Sequence, residues 1–204
     1  MKKARIAVLV SGGGTNLQAL IDAQKNGVLR SGEIVLVISN NAIAYALTRA
    51  REAGIEALTI TKKECGGQDA FEDALLEALK ARSIDLIVLA GFMSILSPRF
   101  VSHYDRRIIN VHPSLIPSFC GKGFYGLKVH EAALAYGVKV TGATVHYVNE
   151  IPDGGQIILQ KPVMIRPGDT PEILQRRVME QAEWKLLPRA AELVCRKILK
   201  EKEG

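Results

Sequence analysis

The sequence has few cysteines, few aromatic residues and no long apolar run. Its three cysteines are an odd number without metal-ligand spacing, which argues against a disulfide framework and predicts reduced thiols. Aromatic residues make up only 5% of the chain and are not interleaved with basic ones, so a stacking surface for nucleic acid is not expected. No apolar stretch reaches transmembrane length, and no signal-peptide pattern opens the chain. We therefore expect a cytoplasmic protein that does not bind a membrane.

The net charge of +6 does not by itself select a partner. Much of the excess lies in Lys2, Lys3 and Arg5 and in a C-terminal helical pattern over 176–202 that also carries several glutamates. A nucleic-acid substrate is a minor alternative that depends on this weak basicity alone. Small anionic ligands fit the charge equally well, so we expect small-molecule substrates and no nucleic acid.

The spacing of apolar residues predicts an α/β protein with a mostly parallel central sheet. A chain of 204 residues, 48% of them apolar, is long enough for one compact domain and too short for two well-cored domains with a linker. Runs rich in Val and Ile alternate with helical patterns, which is typical of a Rossmann-like fold with helices on both faces of the sheet. These predicted strands lie at 6–10, 34–38, 56–60, 86–89 and 108–111. We expect residues 1–204 to form a single domain.

The pattern changes after residue 138. Two strand-like runs, 140–148 and 156–163, are joined by a segment that contains Pro-Asp-Gly-Gly, whose residues favour a turn. They predict a C-terminal antiparallel strand pair. The sequence Asp-Thr-Pro-Glu at 169–172 then opens the last helix with a capping oxygen, an early proline and an early acid.

A glycine-rich segment, Ser-Gly-Gly-Gly-Thr-Asn at 11–16, follows the first predicted strand and opens the first predicted helix. Glycines let backbone N–H groups approach an anion closely, and a helix N-terminus adds its positive dipole end. Leu17 stands where the third glycine of a dinucleotide fingerprint would fall, and no Gly-Lys-Ser/Thr follows as in a P-loop. The segment therefore favours a phosphate on a small substrate. The alternative is a tight strand-to-helix turn in which Asn16 makes a local hydrogen bond.

The apolar run over 108–111 is interrupted and ended by two polar side chains, Asn110 and His112. Because side chains alternate along a strand, both point to one face, and Pro113 keeps His112 on extended backbone. Asp153 lies in the Pro-Asp-Gly-Gly turn. An amide, an imidazole and a carboxylate at strand ends form an acid–base group suited to acyl chemistry. Each residue also has a simpler interpretation, in which it satisfies loop backbone groups or forms the turn.

The remaining histidines do not form a comparable group. His103, His130 and His146 include no pair at i,i+4. A metal site built from His112, a second histidine and Asp153 is therefore a minor alternative, and we expect no metal.

Four segments occur in one order along the chain, and together they carry a family resemblance. They are Ser-Gly-Gly-Gly-Thr-Asn at 11–16, Leu-Ala-Gly-Phe-Met-Ser-Ile-Leu at 89–96, Asn-Val-His-Pro-Ser-Leu-Ile-Pro at 110–117 and Asp-Gly-Gly at 153–155. The set closely resembles the phosphoribosylglycinamide formyltransferases, folate-dependent enzymes of purine synthesis, from Arg5 to Pro188. Formyltetrahydrofolate deformylases and methionyl-tRNA formyltransferases share a similar central signature but usually carry a further domain, for which we expect no room in 204 residues.

The resemblance implies a reaction and its site residues. A formyl group would pass from 10-formyltetrahydrofolate, as co-substrate, to the amine of glycinamide ribonucleotide. The phosphate-binding half would span residues 1–100 and the folate and catalytic half residues 86–190. A homodimer is compatible with the resemblance but not required by it. The implied residues are Asn110, His112 and Asp153 for catalysis; Gly12, Gly13, Gly14, Thr15 and Asn16 for the phosphate; Glu183 for the amine end; and Met93, Ser94, Ile95, Leu96 and Asn149 for folate.

The chain departs from the family pattern at three places. Ser94 and Gln68 stand at or near positions where many members carry arginine, which implies an altered folate contact. The segment 118–128 is longer than the shorter family version. It contains Cys120, which would be a nucleophile only if Lys122 activated it; a loop thiol usually has no catalytic role.

The implied mechanism stabilises a tetrahedral oxyanion and moves one proton. Asn110 would donate a hydrogen bond to the oxyanion, protonated His112 would act as a charged donor, and Asp153 would hold the charge state of His112 or position a relay water. Two other classes stay open. A deformylase would activate water with the same group, and a non-catalytic phosphate-binding protein would use only the glycine-rich segment.

Overall fold

A seven-stranded mixed sheet forms the centre of the protein in the computed structural model, which describes residues 2–203. Its strands are Ala4–Val10 (β1), Gly32–Ser39 (β2), Glu56–Thr59 (β3), Leu86–Leu89 (β4), Ile108–His112 (β5), Val140–Tyr147 (β6) and Ile157–Met164 (β7). They lie in the order β3-β2-β1-β4-β5-β6-β7. The pairs among β1 to β5 are parallel, and β6 pairs antiparallel with both β5 and β7. The predicted α/β fold with a C-terminal antiparallel part is confirmed.

Helices pack on both faces of the sheet because the central strands are apolar on both sides. Ile6, Val8 and Val10 of β1 belong to one buried cluster, whereas Ala7 and Leu9 belong to the other. The helices are Thr15–Lys25 (α1), Tyr45–Glu52 (α2), Lys62–Cys65 (α3), Gln68–Ala81 (α4), Pro98–Ser102 (α5), Leu127–Tyr136 (α6), Pro171–Val178 (α7), a π-helix over Met179–Glu183, and Trp184–Glu203 (α8).

The register of the parallel strands aligns their carboxyl ends. Leu9 of β1 pairs with Leu89 of β4, and Leu89 pairs with Asn110 of β5. The loops that follow these strands therefore leave the sheet at one edge, which is where open α/β sheets bind ligands.

The C-terminal helical segment begins as predicted and then departs from a regular α-helix. Thr170 caps α7, since its side chain accepts from the Ile173 N–H, and Pro171 occupies the first turn. The π-helix and α8 follow without a break. Within residues 2–203, no helix combines the length and the apolar character that crossing a bilayer requires.

Candidate active site

Three loops lie side by side at the carboxyl edge of the sheet, after β1, β4 and β5. The first two are joined directly, because the Met93 N–H donates to Ser11 Oγ over 2.8 Å. The third carries the residues that follow His112. The sequence motifs at 11–16, 89–96 and 110–117 therefore meet at one edge, although they are far apart in the chain.

Strands β5 and β6 bring an amide and two imidazoles together. In their antiparallel register Asn110 lies opposite His146, and Asn110 Nδ2 is 3.3 Å from His146 Nε2. Ile109 and Val111, the alternate residues of β5, lie in the apolar core on the other side of the sheet. Strand alternation thus places Asn110 and His112 on the same face, as predicted.

Asp153 joins this group from the connection between β6 and β7. The Gly121 N–H donates to its Oδ2 over 2.9 Å. The same Oδ2 lies 3.5 Å from His112 Nδ1, and Oδ1 lies 3.5 Å from His146 Nε2. The carboxylate therefore lies between two buried imidazoles, with 13% of its side chain exposed. Among residues 2–203, no group of His, Cys, Asp and Glu side chains has an arrangement suited to a metal ion.

Backbone carbonyls determine which ring nitrogens carry hydrogen. His112 Nε2 lies 2.8 Å from the Phe119 carbonyl oxygen. His146 Nδ1 lies 2.8 Å from the Tyr147 carbonyl oxygen. A carbonyl only accepts, so both nitrogens must donate, and in the neutral rings His112 Nδ1 and His146 Nε2 carry lone pairs. The lone pair of His146 Nε2 accepts from Asn110 Nδ2, so His112 Nδ1 and the carboxylate of Asp153 are the two acceptors that can receive a proton.

Burial and neighbouring charges set the protonation of this group. Loss of solvation lowers the pKa of His112, and this effect outweighs the charge of Asp153 and the hydrogen bond to Phe119. Burial raises the pKa of Asp153, but the contact with His146, the charge of His112 and the Gly121 N–H outweigh it, so the pKa of Asp153 is lowered. At neutral pH the group therefore contains an ionised carboxylate and a neutral His112, and it can take up a proton.

The glycine-rich loop presents backbone rather than side chains at the surface. Gly14 has a φ of +74°, and a Cβ there would lie 2.7 Å from the Cβ of Ala46, so both conformation and packing require glycine. A Cβ at Gly12 or Gly13 would meet no atom within 4 Å, so packing does not explain these two glycines. The first N–H groups of α1 have no intrahelical acceptor, and no side chain within the described part of the protein caps them. The loop therefore offers a backbone site that suits an anion.

Asn16 and Glu183 form a buried pair beside this loop. Asn16 Nδ2 donates to Glu183 Oε2 over 2.6 Å, so the Asn16 amide is turned towards the protein interior. Burial raises the pKa of Glu183, and the hydrogen bond from Asn16 opposes this only in part. Glu183 ends the π-helix, whose wider turn accommodates an extra residue in a continuous helical segment. The sequence predicted neither this pair nor the π-helix.

A cavity of about 570 Å³ lies between α1 and the start of α8. Thr15 and Glu180 line it near the glycine-rich loop, and Trp184 and Pro188 line it along α8. The acid–base residues are not part of its lining, so this cavity and the acid–base group are separate features.

The residues that the resemblance implies for folate lie mostly in the loop between β4 and α5. Met93 and Ile95 are 57% and 78% exposed, which is unusual for large apolar side chains. Leu96, in the same loop, is buried in the apolar core. Ser94 Oγ accepts from Asn40 Nδ2 over 2.7 Å, so this side chain serves a contact within the protein. The loop thus presents two apolar side chains next to the glycine-rich loop.

Asn149, the other residue implied for folate, has a different environment. It is exposed, and its Oδ1 accepts from the Ile151 N–H over 3.0 Å. Its side chain therefore shapes its own turn, in the connection that also carries Asp153.

The longer loop after β5 contacts the acid–base group through its backbone. The Phe119 carbonyl accepts from His112, and the Gly121 N–H donates to Asp153. Cys120 lies between these two residues, but burial and the nearby charge of Asp153 raise the pKa of its thiol. A protonated thiol is a poor nucleophile, so the backbone of this loop, rather than its cysteine, contributes to the site.

Comparison with known proteins decides the family. The family described as "Formyl transferase" matches residues 4–191. The phosphoribosylglycinamide formyltransferase of Escherichia coli (strain K12) is 43% identical over 176 residues, which are 86% of this chain and 80% of that protein. The chain belongs to the formyl transferase family, among the phosphoribosylglycinamide formyltransferases.

Other relatives of this formyl transferase agree in fold and in sequence. The crystal structure of glycinamide ribonucleotide transformylase 1 from Symbiobacterium toebii has a TM-score of 0.89 at 42% identity, covering 96% of this chain and 89% of that one. The trifunctional purine biosynthetic protein adenosine-3 of Bos taurus is 48% identical over 194 residues. The chain spans only 18% of the length of that trifunctional relative.

His146 is the site residue that the sequence analysis missed. Asn110, His112 and Asp153, which were predicted to converge, do so in this formyl transferase, and His146 contacts two of them. The available signal was its position in a strand-like run, two residues after Thr144 on the same face. That signal identifies His146 only if β6 is known to pair with β5.

Proposed function

We propose that this formyl transferase moves the formyl group of 10-formyltetrahydrofolate to the amine of glycinamide ribonucleotide, giving formylglycinamide ribonucleotide and tetrahydrofolate in purine biosynthesis. The observation that carries the proposal is the convergence of two proton acceptors, on His112 and Asp153, with the amide of Asn110, whose direction His146 fixes. Formyl transfer to an amine needs a proton acceptor for the amine and a hydrogen-bond donor for the oxyanion. Family membership supports this choice of substrates.

The first step forms a tetrahedral intermediate. The amine nitrogen attacks the formyl carbon, a C–N bond forms, and the carbonyl π electrons move to the oxygen. Asn110 Nδ2 directs one hydrogen to His146 and has a second hydrogen for this oxyanion. His146 thereby orients the donor, because its lone pair fixes the direction in which the amide points.

The attacking nitrogen must also lose a proton, and the pair of Asp153 and His112 receives it. A proton on His112 Nδ1 converts the 3.5 Å contact with Asp153 into an ion pair. This assignment modifies the sequence-based hypothesis, because burial favours a neutral His112 before the reaction rather than a permanently charged donor. The proton then passes to N10 of the folate as the bond from N10 to the formyl carbon breaks, and tetrahydrofolate leaves.

The two substrates bind in one domain over residues 1–204, at the loops after β1 and β4, which lie on the same side of the strand that carries this group. The backbone of Gly12 and Gly13 and the start of α1 bind the ribonucleotide phosphate, supported by the open space around these glycines. Glu183 lies next to that site through Asn16. Folate binds against Met93 and Ile95, whose exposure leaves apolar surface available.

The test is to incubate the protein with 10-formyltetrahydrofolate, with and without glycinamide ribonucleotide, and to measure tetrahydrofolate. The proposal predicts tetrahydrofolate only when the ribonucleotide is present, together with formylglycinamide ribonucleotide in equal amount. Equal release of tetrahydrofolate and formate without the ribonucleotide would identify a deformylase instead. Absence of product in both reactions would indicate a non-catalytic phosphate-binding protein.

A further inference from the structure

Glu72 is a buried carboxylate on α4 that the proposed chemistry does not use. Its side chain has no solvent exposure. Oε1 accepts from the Ser97 N–H over 2.7 Å and from Gln68 Nε2 over 2.6 Å. Oε2 accepts from Ser97 Oγ, and the guanidinium of Arg99 lies 3.8 Å away. Three hydrogen-bond donors and one cation therefore converge on a single side chain.

These contacts fix the loop between β4 and α5. Ser97 ends the loop as the N-cap of α5, and Gln68 Nε2 also donates to the Ile95 carbonyl over 3.1 Å. Leu96 is buried, but Met93 and Ile95 are exposed on either side of Ser94. Hydrogen bonds to Glu72 and Gln68, together with the buried side chain of Leu96, therefore hold the backbone that carries the two exposed side chains.

A carboxylate suits this position because every group that faces it is a donor or a cation. Burial raises the pKa of Glu72, but the hydrogen bonds from Ser97 and Gln68 and the charge of Arg99 outweigh it, so the pKa is lowered. Removing the carboxylate would leave the half-buried Ser97 N–H and Gln68 Nε2 without their acceptor, so the loop would lose the contacts that hold its end in place. The fold of α4 does not depend on Glu72 alone, since its apolar residues already pack in the core.

We propose that Glu72 is a positioning residue for the folate substrate. Through Ser97 and Gln68 it sets the course of the loop that presents Met93 and Ile95. This inference rests on the proposed function, in which that loop forms the folate side of the site. Since Glu72 acts through this loop, its removal weakens the binding of folate and leaves the ribonucleotide site and the acid–base group unchanged.

The test compares Glu72→Ala with Glu72→Gln in steady-state kinetics. Alanine removes all the acceptors, whereas glutamine keeps Oε1 for Ser97 and Gln68 and offers an NH₂ group to Ser97 Oγ. We expect the KM for 10-formyltetrahydrofolate to rise about tenfold in Glu72→Ala and to stay within about threefold in Glu72→Gln. The KM for glycinamide ribonucleotide and kcat should stay within about twofold in both variants.

Asp73→Asn is the matched control. Asp73 is the next residue of α4, pairs with the same Arg99 over 2.7 Å and is 62% exposed at its side chain. Losing this carboxylate changes the charge near Arg99 but removes no contact to the loop, so both KM values should be unchanged. A rise in the folate KM of Asp73→Asn equal to that of Glu72→Ala would overturn the proposal, because it would assign the effect to charge.

Other outcomes decide the proposal as well. An unchanged folate KM in folded Glu72→Ala, or an equal rise in both KM values, would contradict a positioning role. If Glu72→Ala does not fold, Gln68→Ala tests the same loop through the Ile95 contact. We expect the KM for 10-formyltetrahydrofolate to rise about threefold in this variant. An unchanged KM would contradict the proposal.

Calorimetric titration with tetrahydrofolate alone separates this inference from the proposed function, because it needs no turnover. Weaker binding to Glu72→Ala than to Glu72→Gln supports the positioning role even if no formyl transfer is observed. Equal binding to both variants, or no binding to the unmodified protein, contradicts it.

Discussion

At the scale of single residues, the carboxylate of Asp153 organises the candidate site. It contacts His112 and His146 over 3.5 Å each and is held by the Gly121 N–H. The pKa of Asp153 is lowered by these neighbours and the pKa of His112 is lowered by burial, so the group takes up a proton only when the reaction supplies one. His112 and Asp153 influence each other's pKa, so they titrate as a pair rather than as independent residues.

His146→Phe tests whether this histidine orients Asn110. The substitution keeps an aromatic ring but removes the acceptor 3.3 Å from Asn110 Nδ2, so the amide loses its fixed direction. We expect kcat to fall by at least about five- to tenfold, with little change in either KM, because the hydrogen bond to Asn110 and the contact with Asp153 Oδ1 are both lost. His103→Phe, at an exposed histidine of the same chain, serves as control and should retain full kcat. An unchanged kcat in His146→Phe would show that Asn110 does not need this partner.

The protonation of His112 can be followed directly by NMR. Because burial lowers its pKa, the ring should titrate with a midpoint below 6.5, and it should be neutral in the resting protein at neutral pH. The measurement is the ring-proton shift against pH, with the resonance assigned by its absence in His112→Asn. A midpoint above neutral pH would mean that His112 is charged before the substrate binds, as the sequence-based hypothesis assumed.

At the scale of elements, the glycines of the glycine-rich loop have different roles: Gly14 is required by the fold, whereas Gly12 is expected to serve the phosphate site. Gly14→Ala places a methyl group 2.7 Å from Ala46 and requires a φ of +74°, so we expect it to destabilise the protein by about 1–3 kcal/mol. Gly12→Ala meets no atom within 4 Å, so the free energy of unfolding should change by less than about 0.5 kcal/mol. The added methyl group should nevertheless raise the KM for glycinamide ribonucleotide. Urea unfolding and steady-state kinetics of both variants measure this contrast, and an unchanged KM in Gly12→Ala would contradict a phosphate site at this loop.

The elements also show what sequence can and cannot predict. Alternation in β5 and the capping pattern at Thr170 depend on neighbours in the chain, and both were predicted correctly. The pairing of His146 with Asn110 depends on strand order, and the hydrogen bond from Asn16 to Glu183 joins two helical segments that are far apart in the chain. Local periodicity contains neither of these, because both arise from contacts between residues far apart in the chain.

At the scale of the whole molecule, acid should destabilise the protein through His130. This histidine of α6 is buried, neither of its ring nitrogens has a partner within the described residues, and burial together with the nearby His112 lowers its pKa to about 4. In the unfolded chain its pKa is the ordinary 6.5, so between these values the unfolded state binds more protons. Stability should therefore fall as the pH decreases from 6.5 towards about 4, by up to about 3 kcal/mol from this residue.

Urea unfolding at several pH values measures this dependence. His130→Phe removes the titrating ring and should flatten the loss of stability between pH 6.5 and 4. An equal pH dependence in the variant and the unmodified protein would show that other groups cause the acid instability.

The organisation of the molecule places both proposed substrate sites on one sheet edge with a single proton-accepting group at that edge. The turnover of Asp153→Asn is the sharpest test of this proton-accepting group, because the change removes the charge and keeps the size of the side chain. With circular dichroism and ribonucleotide binding unchanged, we expect kcat for formyl transfer to fall by about two to four orders of magnitude. A folded Asp153→Asn variant with kcat within about threefold of the unmodified protein would contradict it.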